Sequence, residues 1–581
     1  MSAAAMEGLR QRWLQSWPQA LAVWSRFTRL SEPRWCLDKD AVDAEGMSGN
    51  FAMIRLADQA VVINLLQAQT SHVEDFALEI LAHEIGHHVY CPADLGEHAR
   101  MLARMRWALP GQEMMAPFVG NLYTDLLVND RLYRGAGLRI PDVYRTLGGE
   151  SRNPLWMLYM RIYEILWSLP GGTLVRGKVS ETMEGDAYLG SRLVRTYGRQ
   201  WLDGSGRFAA LCLPYLEEAV YTVILYGAWT DMKRAGEGGE VPAGLTSIEA
   251  DEREGALHPA LDAELSGLKP KEQAVKHPPQ TVDSNRHATG QARDPFVFGE
   301  ILRSMGMKLD NHEVTVRYYR ELALPYLVHF PSRRMPQVRE PLPEGLEPWD
   351  IGAALDEVDW LQSVLTSPHI IPGVTTVQRS WGAIEGAEPE RRPLDLDLYV
   401  DCSGSMPNPQ MQLSYPALAG AILSLSALRA GASVQATLWS GARQFETTGD
   451  FIRDERQILR VLTGYLGGGT TFPIHILRDT YLNGRRRQRP THILVLSDEG
   501  VTSMYDMDER QNSGAEISAQ ALAAAGGGGT LVLNLYTGWQ RYYPVLTQME
   551  TDGWQIYHVD SLNGLVDFAR QFSARAYGGK E

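Results

Sequence analysis

The sequence predicts a multidomain protein in which a mainly helical α+β domain is followed by an α/β doubly wound, Rossmann-like domain. Length carries the first part of that expectation, because 581 residues and 64.8 kDa exceed what a single hydrophobic core supports. Periodicity carries the rest. Helix-like segments dominate the first 234 residues, whereas from Leu394 onward short apolar runs alternate with helix-like segments.

Taken in order, Met1 to Phe27 alternates Trp13, Leu14, Trp17, Leu21 and Trp24 with Arg10, Arg12 and Gln19. This reads as an amphipathic helix packed on the first domain rather than a signal peptide. Phe51 to Leu56 and Ala60 to Leu65 read as two short strands around Ala57-Asp58-Gln59, and Ala60 to Leu65 is a candidate edge strand. Val73 to Tyr90, Asn121 to Asp130, Leu155 to Leu169 and Phe208 to Tyr226 suit helices, which places the first domain at 1–234. Residues 235–295 turn polar and rich in Gly, Pro, Glu and Lys, as a flexible linker or partly ordered insertion does. Helix-like Phe296 to His329 and the segment Pro348 to Leu365 make 296–392 a connector expected to pack on the C-terminal domain or bridge the two ends.

In 393–581, strand-like runs at Leu394 to Val400, Ser433 to Trp439, His492 to Leu496, Thr530 to Tyr536 and Gln555 to Val559 alternate with helix-like Pro416 to Leu428 and Ala515 to Ala525. Such alternation predicts a mostly parallel sheet with helices on both faces. Asp395 and Asp397 interrupt the first run, although a central parallel strand is expected to be apolar on both faces, so that half is expected to project beyond the sheet.

Directly after that run stands Asp401-Cys402-Ser403-Gly404-Ser405-Met406. It offers one carboxylate and two hydroxyls from one loop, the oxygen-only chemistry that a hard divalent cation prefers. Thr470 closes the glycine turn Gly467-Gly468-Gly469, and Asp498 ends the run His492 to Leu496. In doubly wound folds ligands sit outside the carboxyl ends of strands, where Asp401 and Asp498 fall. A helix-capping turn would explain one of these segments but not three. Together Asp401, Ser403, Ser405, Thr470 and Asp498 resemble the metal-ion-dependent adhesion site (MIDAS) of the von Willebrand factor A (VWA) domain. The resemblance implies Mg²⁺ (or Mn²⁺ or Ca²⁺) held by the hydroxyls, with the aspartates often acting through water. An open position would accept a carboxylate from a partner protein.

A second motif, His83-Glu84-Ile85-Gly86-His87, lies within the helix-like Val73 to Tyr90. Residues four apart share a helix face, so His83 and His87 can both address one Zn²⁺ with Glu84 beside it as general base. The motif and the hairpin before it resemble the zincin metallopeptidases. The extended metzincin pattern is missing, since Tyr90 and Ala93 stand where its glycine and third histidine belong. Asn121, Asp125 and Asn129 share a face of the next helix, an arrangement that resembles the second helix of gluzincins and nominates Asp125 as third ligand, with His98 and Asp94 as the alternatives. The sequence names no residue for oxyanion stabilisation; Tyr90 and Tyr123 are available, with no motif to support either.

Composition narrows the function. A net charge of −15 argues against non-specific nucleic-acid binding. Arg485-Arg486-Arg487-Gln488-Arg489, the chief basic cluster, is expected on the rim opposite the metal loop. No apolar run reaches the roughly 18 residues of a membrane span, and Cys36, Cys91, Cys212 and Cys402 lack pairing or zinc-ribbon spacing, so a reducing, cytoplasmic setting is expected. Neither Gly467 to Gly469 nor Gly526 to Gly529 is a phosphate-binding loop.

A zincin-like domain joined to a VWA domain resembles bacterial VWA-linked metallopeptidases associated with MoxR-type AAA+ ATPases. The resemblance implies a zinc metallopeptidase that cuts a protein or peptide presented through the VWA module. The alternative is a non-catalytic VWA adaptor or chaperone subunit with a structural or inactive zinc site. A metal-chelatase partner subunit would also combine VWA with AAA+ machinery, but gives no reason for His-Glu-x-x-His.

Overall fold

The computed structural model describes residues 3–47, 49–148, 153–216, 235–266, 291–330, 332–334, 339–385, 391–483, 489–535, 543–559, 564, 567–568 and 571–572. The chain forms two compact units, Met1–Leu322 with Pro409–Leu413, and Ala323–Asn408 with Ser414–Glu581.

Unit 1 carries helices α1 (Ala3–Trp24), α2 (Lys39–Glu45), α3 (Leu65–Thr70), α4 (Ala77–Val89), α5 (Leu95–Ala108), α6 (Ala116–Ala136), α7 (Ile140–Leu147), α8 (Pro154–Leu166), α9 (Glu181–Thr196) and α10 (Trp201–Cys212). Strands β1 (Arg34–Cys36), β2 (Ala52–Arg55) and β3 (Ala60–Asn64) form its small sheet. The amphipathic α1 buries Trp13 and Trp17. Two of its indole N–H groups bond to backbone, Trp13 donating to the Glu74 carbonyl (3.1 Å) and Trp24 to that of Ala82 (2.7 Å), which lays α1 along α4. The expected helix at Phe208 begins earlier, at Trp201, and 217–226 lie outside the described residues.

Gly86 sets the approach of α4 to its neighbours. A Cβ there would lie 2.5 Å from Val128 Cγ1 on α6 and 2.6 Å from the Trp24 ring, so only glycine lets α4 and α6 come this close. That contact brings His83 and His87 against Asp125 and Asn129.

The sheet order is β1-β3-β2, with β3 antiparallel to β2 and parallel to β1. The expectation that Ala60 to Leu65 forms an edge is therefore corrected. Arg34–Cys36, too short to carry a periodic signal, pairs with its outer side, and the edges belong to β1 and β2.

The polar stretch after residue 234 is described in part. Its described parts, 235–266 and 291–295, are tied into unit 1. Arg104, 3% exposed at its side chain, holds Glu249 (2.7 Å) and Asp251 (2.6 Å), and the equally buried Arg293 holds Glu252 (2.7 Å). Ion pairs rather than apolar packing hold these parts, in keeping with their polar composition; 267–290 lie outside the described residues. Helices Pro295–Ser304 and Asn311–Ala323 follow, and all but the last residue of the second fall in unit 1 rather than with the C-terminal sheet. The Tyr318 hydroxyl donates to the Arg293 carbonyl (2.6 Å) and Glu321 accepts from the Gly244 N–H (2.6 Å).

Unit 2 contains β4 (Ser332–Arg334), β5 (Arg339–Pro348), β6 (Val377–Glu385), β7 (Arg391–Pro393), β8 (Asp395–Asp401), β9 (Val434–Trp439), β10 (Phe445–Thr447), β11 (Thr491–Ser497), β12 (Gly526–Leu533) and β13 (Trp554–His558). The main sheet runs β10-β9-β8-β11-β12-β13, all parallel except β10, a short antiparallel edge with no sequence signal. Residue Tyr536, at the end of one expected strand, lies outside the described residues. β5 and β6 form a separate antiparallel ribbon, and β4 pairs with β7.

Helices cover both faces. Gly420 of the helix Tyr415–Arg429 approaches Leu398, Val400 and Leu462. On the other face, Tyr399, Ile493 and Val495 pack with Leu477 and Ile517 from two further helices. From β8 the chain proceeds to β9 on one side, whereas β11, β12 and β13 extend the sheet on the other, so the order reverses between β8 and β11. A crevice opens at such a switch point beyond the carboxyl ends, where Asp401 and Asp498 stand. The amino-terminal half of β8 does not project from the sheet, contrary to expectation. Asp395 and Asp397 are buried in it, Asp397 accepting from the hydroxyls of Tyr399 (3.2 Å) and Tyr481 (2.9 Å) and Asp395 from the Ser433 N–H (2.9 Å). Polar partners supplied by other elements make the carboxylates tolerable.

Candidate metal centres

α4 and α6 bring three ligand-type side chains together. His83 Nε2 lies 3.3 Å from His87 Nε2, and Asp125 Oδ1 lies 3.7 Å and 3.4 Å from them. The opposite ring nitrogens face oxygens: His87 Nδ1 is 2.9 Å from the Cys91 carbonyl, and His83 Nδ1 is 2.9 Å from Asn129 Oδ1. A carbonyl oxygen only accepts, so each Nδ1 carries a proton, and in the neutral imidazole each Nε2 then presents a lone pair to the other. The amide orientation of Asn129 is set in turn, because its Nδ2 donates to Tyr163 (2.8 Å) and Tyr144 (3.1 Å). Converging lone pairs and a carboxylate oxygen form an electron-rich triangle that a cation reconciles. Its edges suit zinc, whose tetrahedral ligands at about 2.0–2.1 Å stand about 3.3 Å apart. Asn121 Nδ2 donates to Asp125 Oδ2 (2.9 Å) and steadies the carboxylate.

Among the described residues, His83, His87 and Asp125 form a group whose ligand atoms all lie within 4.8 Å. The alternatives are not in it: Asp94 caps α5 by accepting from the Glu97 N–H (2.8 Å), and His98 is buried elsewhere on that helix. His88 also stays outside, and burial lowers its pKa. Glu84 is buried and lines a cavity of about 90 Å³ together with His83, Asp125, Asn129 and Tyr144. Neither tyrosine considered from sequence lines that cavity. Tyr90 donates to the Gly198 carbonyl and Tyr123 to that of Trp201 (2.7 Å). Tyr144 does line it, and the short α7 offered no motif to reveal it. Tyr144, Tyr159 and Tyr163 share hydroxyl contacts of 2.9–3.2 Å. Burial pushes the phenols of Tyr159 and Tyr163 far above their usual range.

The oxygen-rich site gathers around Asp401. Its Oδ1 accepts from the Ser403 N–H (2.8 Å) and its Oδ2 from Ser497 Oγ (2.6 Å), a residue sequence reasoning did not single out. Ser403 Oγ lies 3.1 Å from Ser405 Oγ, which donates to Asp498 Oδ2 (2.9 Å). The glycine turn docks by backbone, with Gly404 N–H donating to the Gly468 carbonyl (2.9 Å). Thr470 joins from that turn: a Cβ on Gly500 would lie 2.3 Å from Thr470 Cγ2 and 2.9 Å from Asp498 Oδ1. The five expected residues thus belong to three loops that meet at the switch point. Burial pushes the Asp401 carboxyl above its ordinary range and neighbouring Asp498 adds to this, against the hydrogen bonds from Ser497 and Ser403. A divalent cation would relieve both effects, and the donor set fits Mg²⁺.

Arg489 sits beside Asp395 (3.9 Å) at the amino-terminal rim, opposite the Asp401 loop; Arg485, Arg486 and Arg487 lie outside the described residues. The four cysteines are buried and free. Among the described residues no helix is long and apolar enough to cross a membrane. No protein-family model, no curated protein and no solved structure matches the chain.

Proposed function

We propose that the chain is a zinc-dependent metallopeptidase coupled to a VWA-type protein-binding module, working in the cytoplasm with a MoxR-type AAA+ ATPase. The observation that carries the peptidase reading is the convergence of both Nε2 atoms on Asp125 Oδ1, with each Nδ1 anchored to an oxygen. His83, His87 and Asp125 would hold the ion. Bound zinc supplies Lewis acidity toward a peptide carbonyl and acidifies water near neutral pH. Glu84 accepts the proton of the attacking water and returns it to the leaving amine. Tyr144, which lines the cavity and shares Asn129 with the ligand network, is the candidate donor to the oxyanion. An extended substrate would align on β2, whose neighbours Asn50 and Phe51 and first residue Ala52 line the same cavity. At the other centre, Asp401, Ser403, Ser405, Thr470 and Asp498 would hold Mg²⁺ and take a carboxylate from the ATPase or the presented protein.

One observation favours the non-catalytic adaptor. His87 is fully buried and Glu84 and Asp125 are nearly so, and a centre closed in this way is typical of structural rather than catalytic zinc. Purified protein separates the readings. The peptidase carries about one zinc per chain, loses it in His83→Ala and Asp125→Ala, and in Glu84→Gln keeps zinc while losing cleavage of an unfolded protein substrate supplied with the ATPase. Equal cleavage by Glu84→Gln would eliminate the proposed base, and zinc without any cleavage in the parent would select the adaptor.

A further inference from the structure

Thirteen of the 24 exposed large apolar side chains among the described residues fall in 339–385, the ribbon β5–β6 and the segment it carries. The segment is built rather than loose. Trp349 and Val358 are buried, the Trp349 N–H donates to the Thr376 carbonyl (2.8 Å), and the Asp359 N–H donates to that of Val377 (2.9 Å).

Its helix, Trp360–Thr366, is inverted. Ser363 is fully buried, donating to the Asp359 carbonyl (2.7 Å) and accepting from the Val377 N–H (2.9 Å). Trp360, Leu361, Val364 and Leu365 stand 51–69% exposed. Spaced i, i+1, i+4 and i+5, these four form one stripe facing away from the chain. An ordinary surface helix turns such a stripe inward. A polar residue inside and an apolar stripe outside mark a helix built to enter a groove.

Charge selects the occupant. Residues 339–385 hold eight carboxylates and two arginines, with no lysine. Glu357 and Asp356 stand exposed just before the helix. A second copy would set like charges together, and an anionic lipid surface would repel the segment, because helices that lie on membranes carry Lys and Arg on the polar face. We propose that the helix Trp360–Thr366 docks into an apolar groove rimmed by Lys and Arg on a different protein. The surface is separate from the Asp401 loop, since β6 and β7 lead into the amino-terminal end of β8 and Asp401 ends it. It does not depend on the peptidase reading.

The test is a photo-crosslinker, p-benzoylphenylalanine, placed at Leu365 of the full-length chain in its own host cells. The expected result is one discrete adduct with another protein, mapping to a peptide whose apolar residues are flanked by Lys or Arg. Adding Trp360→Ser and Leu361→Ser should lower its yield roughly tenfold or more, as loss of two anchor side chains does. Zinc content and circular dichroism should stay unchanged, since both side chains are exposed. An adduct between two copies, a lipid adduct, no adduct, or a yield indifferent to the substitutions overturns the proposal. Sedimentation of the purified chain gives a second reading: a dimer abolished by the same substitutions overturns it in favour of self-association.

Discussion

Replacing Asn129 with Leu tests whether the ligand geometry depends on a residue that never touches the ion. Asn129 is 2% exposed, and Leu keeps its branching and its number of heavy atoms, although its methyl groups are bulkier and the neighbours must give slightly. What disappears is the acceptor that holds His83 Nδ1 at 2.9 Å. His83 Nε2 then no longer has to present its lone pair, and the ring is free to rotate. Partners of this kind are worth about 10–100-fold in metal affinity, or about 1.4–2.8 kcal/mol. Tyr144→Phe removes one of the two hydroxyls that orient the amide and is expected to cost less, while Asn129→Asp keeps an acceptor and should retain zinc. The assay is competition for Zn²⁺ against a chromophoric chelator at pH 7.5, with the visible spectrum of the Co²⁺ form reporting coordination. A zinc Kd for Asn129→Leu within about threefold of the parent, well below the expected range, would refute the view that Asn129 sets the tautomer.

Gly86→Ala drives a methyl against Val128 and Trp24 and should cost about 1–3 kcal/mol, read as a lower Tm with weakened zinc retention; an unchanged Tm would mean the α4–α6 approach is not tight. His492 is held neutral by burial, its pKa lowered to about 4 although the Gly527 carbonyl opposes this. Between about pH 4 and 6.5 the unfolded chain therefore binds a proton there that the folded one does not, so stability falls with acidification by about 1.4 kcal/mol per pH unit, about 3 kcal/mol in all. Urea unfolding of the parent and His492→Gln at pH 4.5 and 7 checks this, and equal slopes for both would contradict it. Mg²⁺ should raise the Tm of the parent but not of Asp401→Ala, the gain reaching about 2.7 kcal/mol at a hundredfold excess over Kd; a parent indifferent to Mg²⁺ would argue that the Asp401 loop holds no cation.

Local rules reach the residues whose chemistry is written in their spacing. His83 and His87 four apart on one helix, Asp125 and Asn129 four apart on another, and Asp-x-Ser-x-Ser after an apolar run were legible because helix period and strand direction alone place them on shared faces and at strand ends. The strands of the main sheet were legible for the same reason, except β10, three residues long at an edge. Contacts between distant segments were not. That β1 covers β3, that Asp397 finds Tyr481, that Arg104 and Arg293 bury their charges against the polar stretch, and that Tyr144 rather than Tyr90 or Tyr123 lines the cavity all depend on partners far away in sequence. The sequence by itself determined which side chains have the chemistry of metal ligands and on which local element each lies. Tertiary structure alone decided which of them meet, which tautomer each histidine adopts, and which apolar residues are left facing outward, because burial and hydrogen-bond partners are properties of the packed chain and not of any one segment.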